Sequence, residues 1–134
     1  MPKKLPSSEK HHDELVEGLS QQMDEILKSS KQPIYLYLDD DHKACNAKFA
    51  TLLGYKSPKE WAKVQGYLDP FVAKQSHEIV ASSYWKAVDD YAASTFHATM
   101  KKKDGSAFNA TFIIVPMSYQ GHLFAVHFVT NVTK

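Results

Sequence analysis

The chain has a single cysteine, Cys45, among its 134 residues. That excludes an internal disulfide and any cysteine-built zinc site, and it suits a reducing compartment. The thiol reads as a small buried hydrophobe. Long apolar runs are missing too: none approaches the roughly 20 residues that span a bilayer, and the first ten residues lack the apolar stretch of a signal peptide. A soluble, cytoplasmic protein is expected, with no membrane partner. Nor is there an excess of charge. Sixteen basic residues face 15 acidic ones, a formal net charge of +1, so no extended field draws nucleic acid. With 43% of residues apolar, the chain can bury one substantial core but is too short for two ordinary domains.

Residues 1–7, with two prolines and two lysines, are expected to form a flexible tail. Residues 8–31 turn helical: Val16, Leu19, Met23 and Ile26 recur at steps of three and four, with Leu15 and Leu27 beside the seam. Ser7 or Ser8 can cap this amphipathic helix, and Ser29, Ser30 and Pro33 end it. Ile34 to Leu38 predicts a strand, closed by the turn Asp39, Asp40, Asp41 and His42, and Lys43 to Cys45 a short second strand. Asn46 stands at an N-cap, and Phe49, Leu52 and Leu53 give a two-turn helix that ends at Gly54. Ser57, Pro58 and Glu60 make a capping box for another short helix, and Asp69 with Pro70 repeats the signal more weakly. Ser76 can cap a longer helix to about Ala93, with Val80, Tyr84, Ala87, Val88 and Tyr91 on one face.

Three strands complete the chain, Thr95 to Lys102, Ala107 to Met117 and His122 to Val132, with hairpin turns at Lys103–Ser106 and Tyr119–Gly121. The order predicts an α+β fold with antiparallel pairing. Both faces of the last two strands are apolar: Phe108, Ala110, Phe112 and Ile114 back onto Ile113, Val115 and Met117. Both faces must therefore be covered.

From about Gln32 to Thr133 the chain resembles a PAS domain, a five-stranded sensor module of signalling proteins. The resemblance rests on Asp39 to Asp41 followed by Asn46, then Phe49, Leu53-Gly54-Tyr55, Ser57-Pro58-Lys59-Glu60, Lys103-Asp104-Gly105-Ser106 and Asn131-Val132-Thr133. It implies a five-stranded antiparallel sheet over residues 32–134, with short helices on one face and the N-terminal helix as an addition. His42 stands where many members carry glycine, a substitution that His tolerates in the left-handed region. Relatives often continue into an output domain, whereas only Lys134 follows Thr133. The signal is therefore expected to leave through association with a partner signalling protein.

The resemblance also frames the cofactors. His77 lies near the iron ligand of haem-binding members, and a neutral imidazole suits that role. The arginines that often hold haem propionates have no counterpart, since the chain contains no arginine. A flavin photosensor needs an Asn-Cys-Arg-Phe-Leu-like segment, and Val64-Gln65-Gly66-Tyr67-Leu68 replaces it. No cofactor is expected, with haem on His77 the lesser alternative. Nor is a metal site: His11 and His12 point about 100° apart on a helix, and His97 and His127 sit about 9–10 Å apart across an intervening strand. Asp39, Asp40 and Asp41 read as a solvated turn, and no catalytic residue is assigned.

The expected function is a stand-alone sensory or regulatory module that binds a small molecule between sheet and helices, with Leu36, Phe49, Leu53, Ile79, Tyr84, Phe112, Ile114 and Phe124 as the inward candidates. A filled interaction module is the alternative. An enzyme ranks last, because the strands offer only His97, His122 and His127 as acid–base groups. A homodimer is expected through Val16, Leu19, Met23 and Ile26 together with Ile113, Val115 and Met117, since an uncovered apolar patch of that size is unusual on a monomer.

Overall fold

The structure, a computed structural model, describes the backbone of residues 6–132 and the side chains of residues 10–132. The chain runs α1 (Pro6–Gln22), α2 (Asp24–Ser29), β1 (Ile34–Asp39), β2 (His42–Cys45), α3 (Ala47–Leu53), α4 (Pro58–Lys63), α5 (Leu68–Phe71), a 3-10 turn at Lys74–Ser76, α6 (His77–Asp90), β3 (Ser94–Lys101), β4 (Ala107–Tyr119) and β5 (His122–Asn131). The strands form one antiparallel sheet in the order β2-β1-β5-β4-β3. Five strands and an α+β layout agree with the sequence reading. Of the expected tail, residues 1–5 lie outside the described residues, and Pro6 and Ser7 already belong to α1. No helix among the described residues is long and apolar enough to cross a membrane.

Local signals act where the sequence placed them. The Asn46 side chain accepts the Phe49 N–H, and Gly54 closes α3 at φ 87°. Ser57 accepts the Glu60 N–H, while the Glu60 carboxylate reaches back one residue further than a standard box, to the Lys56 N–H, and pairs with Lys103. Gln120 and Gly121, at φ 49° and 82°, close the β4–β5 hairpin with the primed turn that suits its twist. Ser76 is a correction. Its hydroxyl accepts the Thr99 N–H on β3 and does not cap α6, so it fixes the helix start to the sheet.

Helices α3 to α6 cover one face of the sheet. The core there gathers Tyr35, Phe49, Leu53, Trp61, Phe71, Met100, Phe112 and Ile114. The second face is covered within the chain: Leu15, Leu19, Met23 and Leu27 pack on Ile34, Leu36, Phe124 and Val126. The helical seam expected at Val16, Leu19, Met23 and Ile26 is thereby corrected. Val16 is half-buried and Ile26 is 52% exposed, while Leu15 and Leu27 take the buried positions. Met23, at φ −94° and ψ 11°, lies outside the helical basin, and the turn it makes between α1 and α2 aims Leu27 at the sheet in place of Ile26.

The surface expected to hold a second subunit is thus largely spent inside one chain. Met117 packs against this cluster and Val115 is half-buried, while Ile113 is left 42% exposed. Beyond the reach of α1 the outer face turns polar: Thr95, His97 and Asn109 are exposed and Thr99 and Thr111 half-buried, so water can cover it. Gly18 lies under the ring of Tyr119, and a Cβ there would force the tyrosine hydroxyl to shift.

Candidate functional site

A cavity of about 450 Å³ lies between the sheet and α5 and α6, lined by Tyr35, Tyr37, Asp40, residues 65–70, His77, Val80, Ala81, Tyr84, Trp85 and His127. A broader trough between the N-terminal helices and β2, α3 and α4 is walled largely by lysines and other surface residues. The cavity gathers the more distinctive chemistry.

Its floor follows from strand parity. Tyr35 and Tyr37 are two apart on β1 and face the same way, and Tyr35 pairs with His127 on β5. Their rings stack with centroids 4.1 Å apart. The walls come from the turn before α5, where Gly66 at φ 83° sends Tyr67 inward. The hydroxyls of Tyr35 and Tyr67 bond to each other, and both rings are buried. Tyr37 donates to Asp40 at the mouth, and its ring meets Tyr84 edge-on, centroids 5.2 Å apart. From α6, His77 donates Nε2–H to the Val72 carbonyl at 2.8 Å.

Burial keeps these groups neutral. It pushes the Tyr35 and Tyr67 hydroxyls well above the ordinary tyrosine range, and Tyr37 likewise, with the bond to Asp40 adding to the effect. Burial depresses His127 to about 3, against a smaller opposing effect of the Ala125 carbonyl. That carbonyl accepts from Nδ1 at 3.2 Å, so the proton of the neutral ring sits on Nδ1 and Nε2 is the acceptor. Among the described residues, no lysine lines the cavity.

Of the inward candidates, Tyr84 lines this cavity, and Phe49, Leu53, Phe112 and Ile114 form the packed core beside it. Three are corrected. Leu36 and Phe124 face the other side of the sheet, under α1, and Ile79 is 41% exposed on α6. On β1 and β5 both faces are apolar, so hydrophobicity alone leaves the parity undecided. Tyr35, Tyr37 and His127 were missed for that reason, and Tyr67 because it lies in a turn outside any periodic segment. The one available signal was the pairing of polar-tipped aromatics, which need partners when buried. His77 is at the cavity edge, with Nε2 already engaged. Cys45 is buried, its thiol pushed up to about 12 by desolvation.

Solved structures supply the comparison. A PAS domain from Colwellia psychrerythraea superposes with a TM-score of 0.67 at 19% identity, over 86% of this chain and 98% of its own. The fold is that of a PAS domain. A PAS domain from a two-component sensor histidine kinase gives a TM-score of 0.64 at 14% identity, covering 86% of this chain and 97% of that one. A third, from a LuxR-family transcriptional regulator of Burkholderia thailandensis and solved in complex with ethanol, gives 0.63 at 10% identity, over 81% and 96%. No family model matches the sequence, and no curated protein matches it. Within the PAS fold, the tyrosine-lined cavity lies between the sheet and the helices α5 and α6.

Proposed function

We propose that the chain is a sensory module that binds a small, uncharged, flat organic molecule between β1, β5, α5 and α6. The observation that carries this reading is the cavity of about 450 Å³ walled by Tyr35, Tyr37, Tyr67 and Tyr84 over the buried His127. Aromatic faces supply contact area, and the hydroxyls and imidazole offer oriented hydrogen bonds. Among the described residues no lysine lines the cavity to pair with a carboxylate or phosphate ligand, and Asp40 and Asp69 at the lining repel it. The same neutrality supports binding over turnover: hydroxyls held protonated and an imidazole held unprotonated are poorly poised to exchange protons near pH 7. A bound molecule that displaces Tyr67 or Tyr84 shifts α5 or α6, and a partner protein reads that shift.

Native mass spectrometry of protein purified from its source tests the reading. An adduct of a few hundred daltons, lost on Tyr84→Ala and absent from heat-unfolded protein, is the expected result. Protein that carries no adduct and shows no thermal shift across a library of neutral aromatics would overturn it.

A further inference from the structure

Away from the cavity, α1 crosses the β1–β2 turn and brings together residues far apart in sequence. His12 Nδ1 lies 3.4 Å from Asp39 Oδ2, and the other oxygen of that carboxylate is 2.6 Å from His42 Nδ1. Among the described residues, His12, Asp39 and His42 each offer a ligand atom within 4.8 Å of the others. The His12 and His42 rings are edge to face, centroids 5.1 Å apart. His42 is buried, and its Nε2 lies 3.4 Å from Asp13 Oδ1. The Nδ1 atom of His12 is shielded from solvent yet makes no hydrogen bond. A sheltered nitrogen that stands 3.4 Å from a carboxylate without a hydrogen bond is costly to leave so.

We propose that His12, Asp39 and His42 bind a divalent transition-metal ion of the zinc type, and that the ion fastens α1 to the sheet. Two imidazoles and a carboxylate are a donor set that suits zinc, with a fourth position left for solvent. Tetrahedral ligands at about 2.0–2.1 Å from the ion stand about 3.4 Å apart, the separation of His12 Nδ1 and Asp39 Oδ2. His42 exchanges its hydrogen bond to Asp39 for the ion. Asp13, the residue after His12, lies on the far nitrogen of His42, where an outer carboxylate orients a ligating imidazole. The ligands come from α1 on one side and the β1–β2 turn on the other. Binding therefore acts on helix docking, because an ion that favours the docked state adds its binding free energy to it.

Untagged, chelator-stripped full-length protein, titrated with Zn²⁺ by calorimetry and with Co²⁺ by visible absorption, tests the proposal. One ion per chain is expected, with a tetrahedral Co²⁺ spectrum and a Zn²⁺-dependent rise in thermal midpoint. His12→Ala and Asp39→Asn should each weaken binding by about 100-fold or more, beyond the usual 10–100-fold cost of losing an outer partner. Both residues are partly exposed, and circular dichroism of the metal-free variants establishes that they fold. Absence of saturable binding at micromolar Zn²⁺ would overturn the proposal. So would binding that survives both substitutions, which assigns the ion to other histidines such as His11 and His122, whose rings stand 5.4 Å apart.

Discussion

The imidazole of His127 lies flat against the ring of Tyr35, 4.1 Å between centroids and 8° from parallel, on directly paired residues of neighbouring strands. The stack forms the floor of the cavity, and burial holds the histidine in its neutral form, because little solvent reaches the ring to stabilise a charge. The floor is thus set by a pair of side chains whose protonation states follow chiefly from burial.

That state has a pH signature. His127 sits at about 3 in the folded chain and returns to an ordinary histidine value, 6.5, when unfolded. Between these values the unfolded chain binds the extra proton, so stability rises with pH and is lost as pH falls from about 6.5 towards about 3. The slope contributed is at most about 1.4 kcal/mol per pH unit. His127→Phe keeps a stacking ring and should flatten the urea midpoint against pH in this window. An unchanged slope would show that other groups carry it.

The Tyr35–Tyr67 hydroxyl pair makes a second prediction. Either Tyr35→Phe or Tyr67→Phe alone strands a buried hydroxyl and should cost about 1–3 kcal/mol. The double variant removes both polar groups together and should cost less than the sum of the two. Additive losses in a urea double-mutant cycle would contradict the pairing.

Asn46 shows how much of the fold was legible. The residue reads as an N-cap from its neighbours alone, and it is one. The same side chain also accepts the Ile34 N–H at 3.1 Å and donates to the Gln32 carbonyl at 3.0 Å, joining α3 to the start of β1. That second role depends on the pairing of β1 and β2, which no local pattern announces. Ser76 tells the same story in reverse: a cap by position, it became a tie to Thr99. Lys43, an unremarked strand residue in the sequence, is buried with its ammonium on the carbonyls of Asp40 and Val64 at 2.8 and 2.6 Å. The five-stranded antiparallel sheet and the inward parity of β4 followed from the resemblance and from alternation. The parity of β1 and β5 did not, since α1 buries one face as fully as α6 buries the other. The grouping of His12 with His42 was hidden because it exists only once α1 folds back.

Asn46→Ala should therefore cost more than a cap. Loss of the cap is worth about 1 kcal/mol, and leaving the buried Ile34 N–H unsatisfied adds about 1–3 kcal/mol. A total of about 2–4 kcal/mol by urea denaturation is expected, with Asn46→Asp, which keeps both acceptor bonds, recovering most of it. A loss confined to about 1 kcal/mol would show that the bond to β1 contributes little.

The packing of α1 on its own sheet makes predictions that differ from those of a helix shared between two subunits. Leu19 is 2% exposed against Phe124 and Val126, whereas Ile26 is 52% exposed. Leu19→Ala should thus cost about 2–5 kcal/mol, as other buried leucines do. Leu19→Asp should undock the helix, expose Phe124 and Val126, and raise binding of a hydrophobic dye. Ile26→Asp, in the same expected seam, should change stability by no more than about 0.5 kcal/mol. A helix that joins two subunits behaves differently: both aspartates would dissociate a dimer into folded monomers, with the unfolding midpoint dependent on protein concentration. Sedimentation velocity and urea denaturation of the two variants at micromolar protein separate these outcomes. Equal effects of Leu19→Asp and Ile26→Asp would refute the docking of α1 on its own sheet.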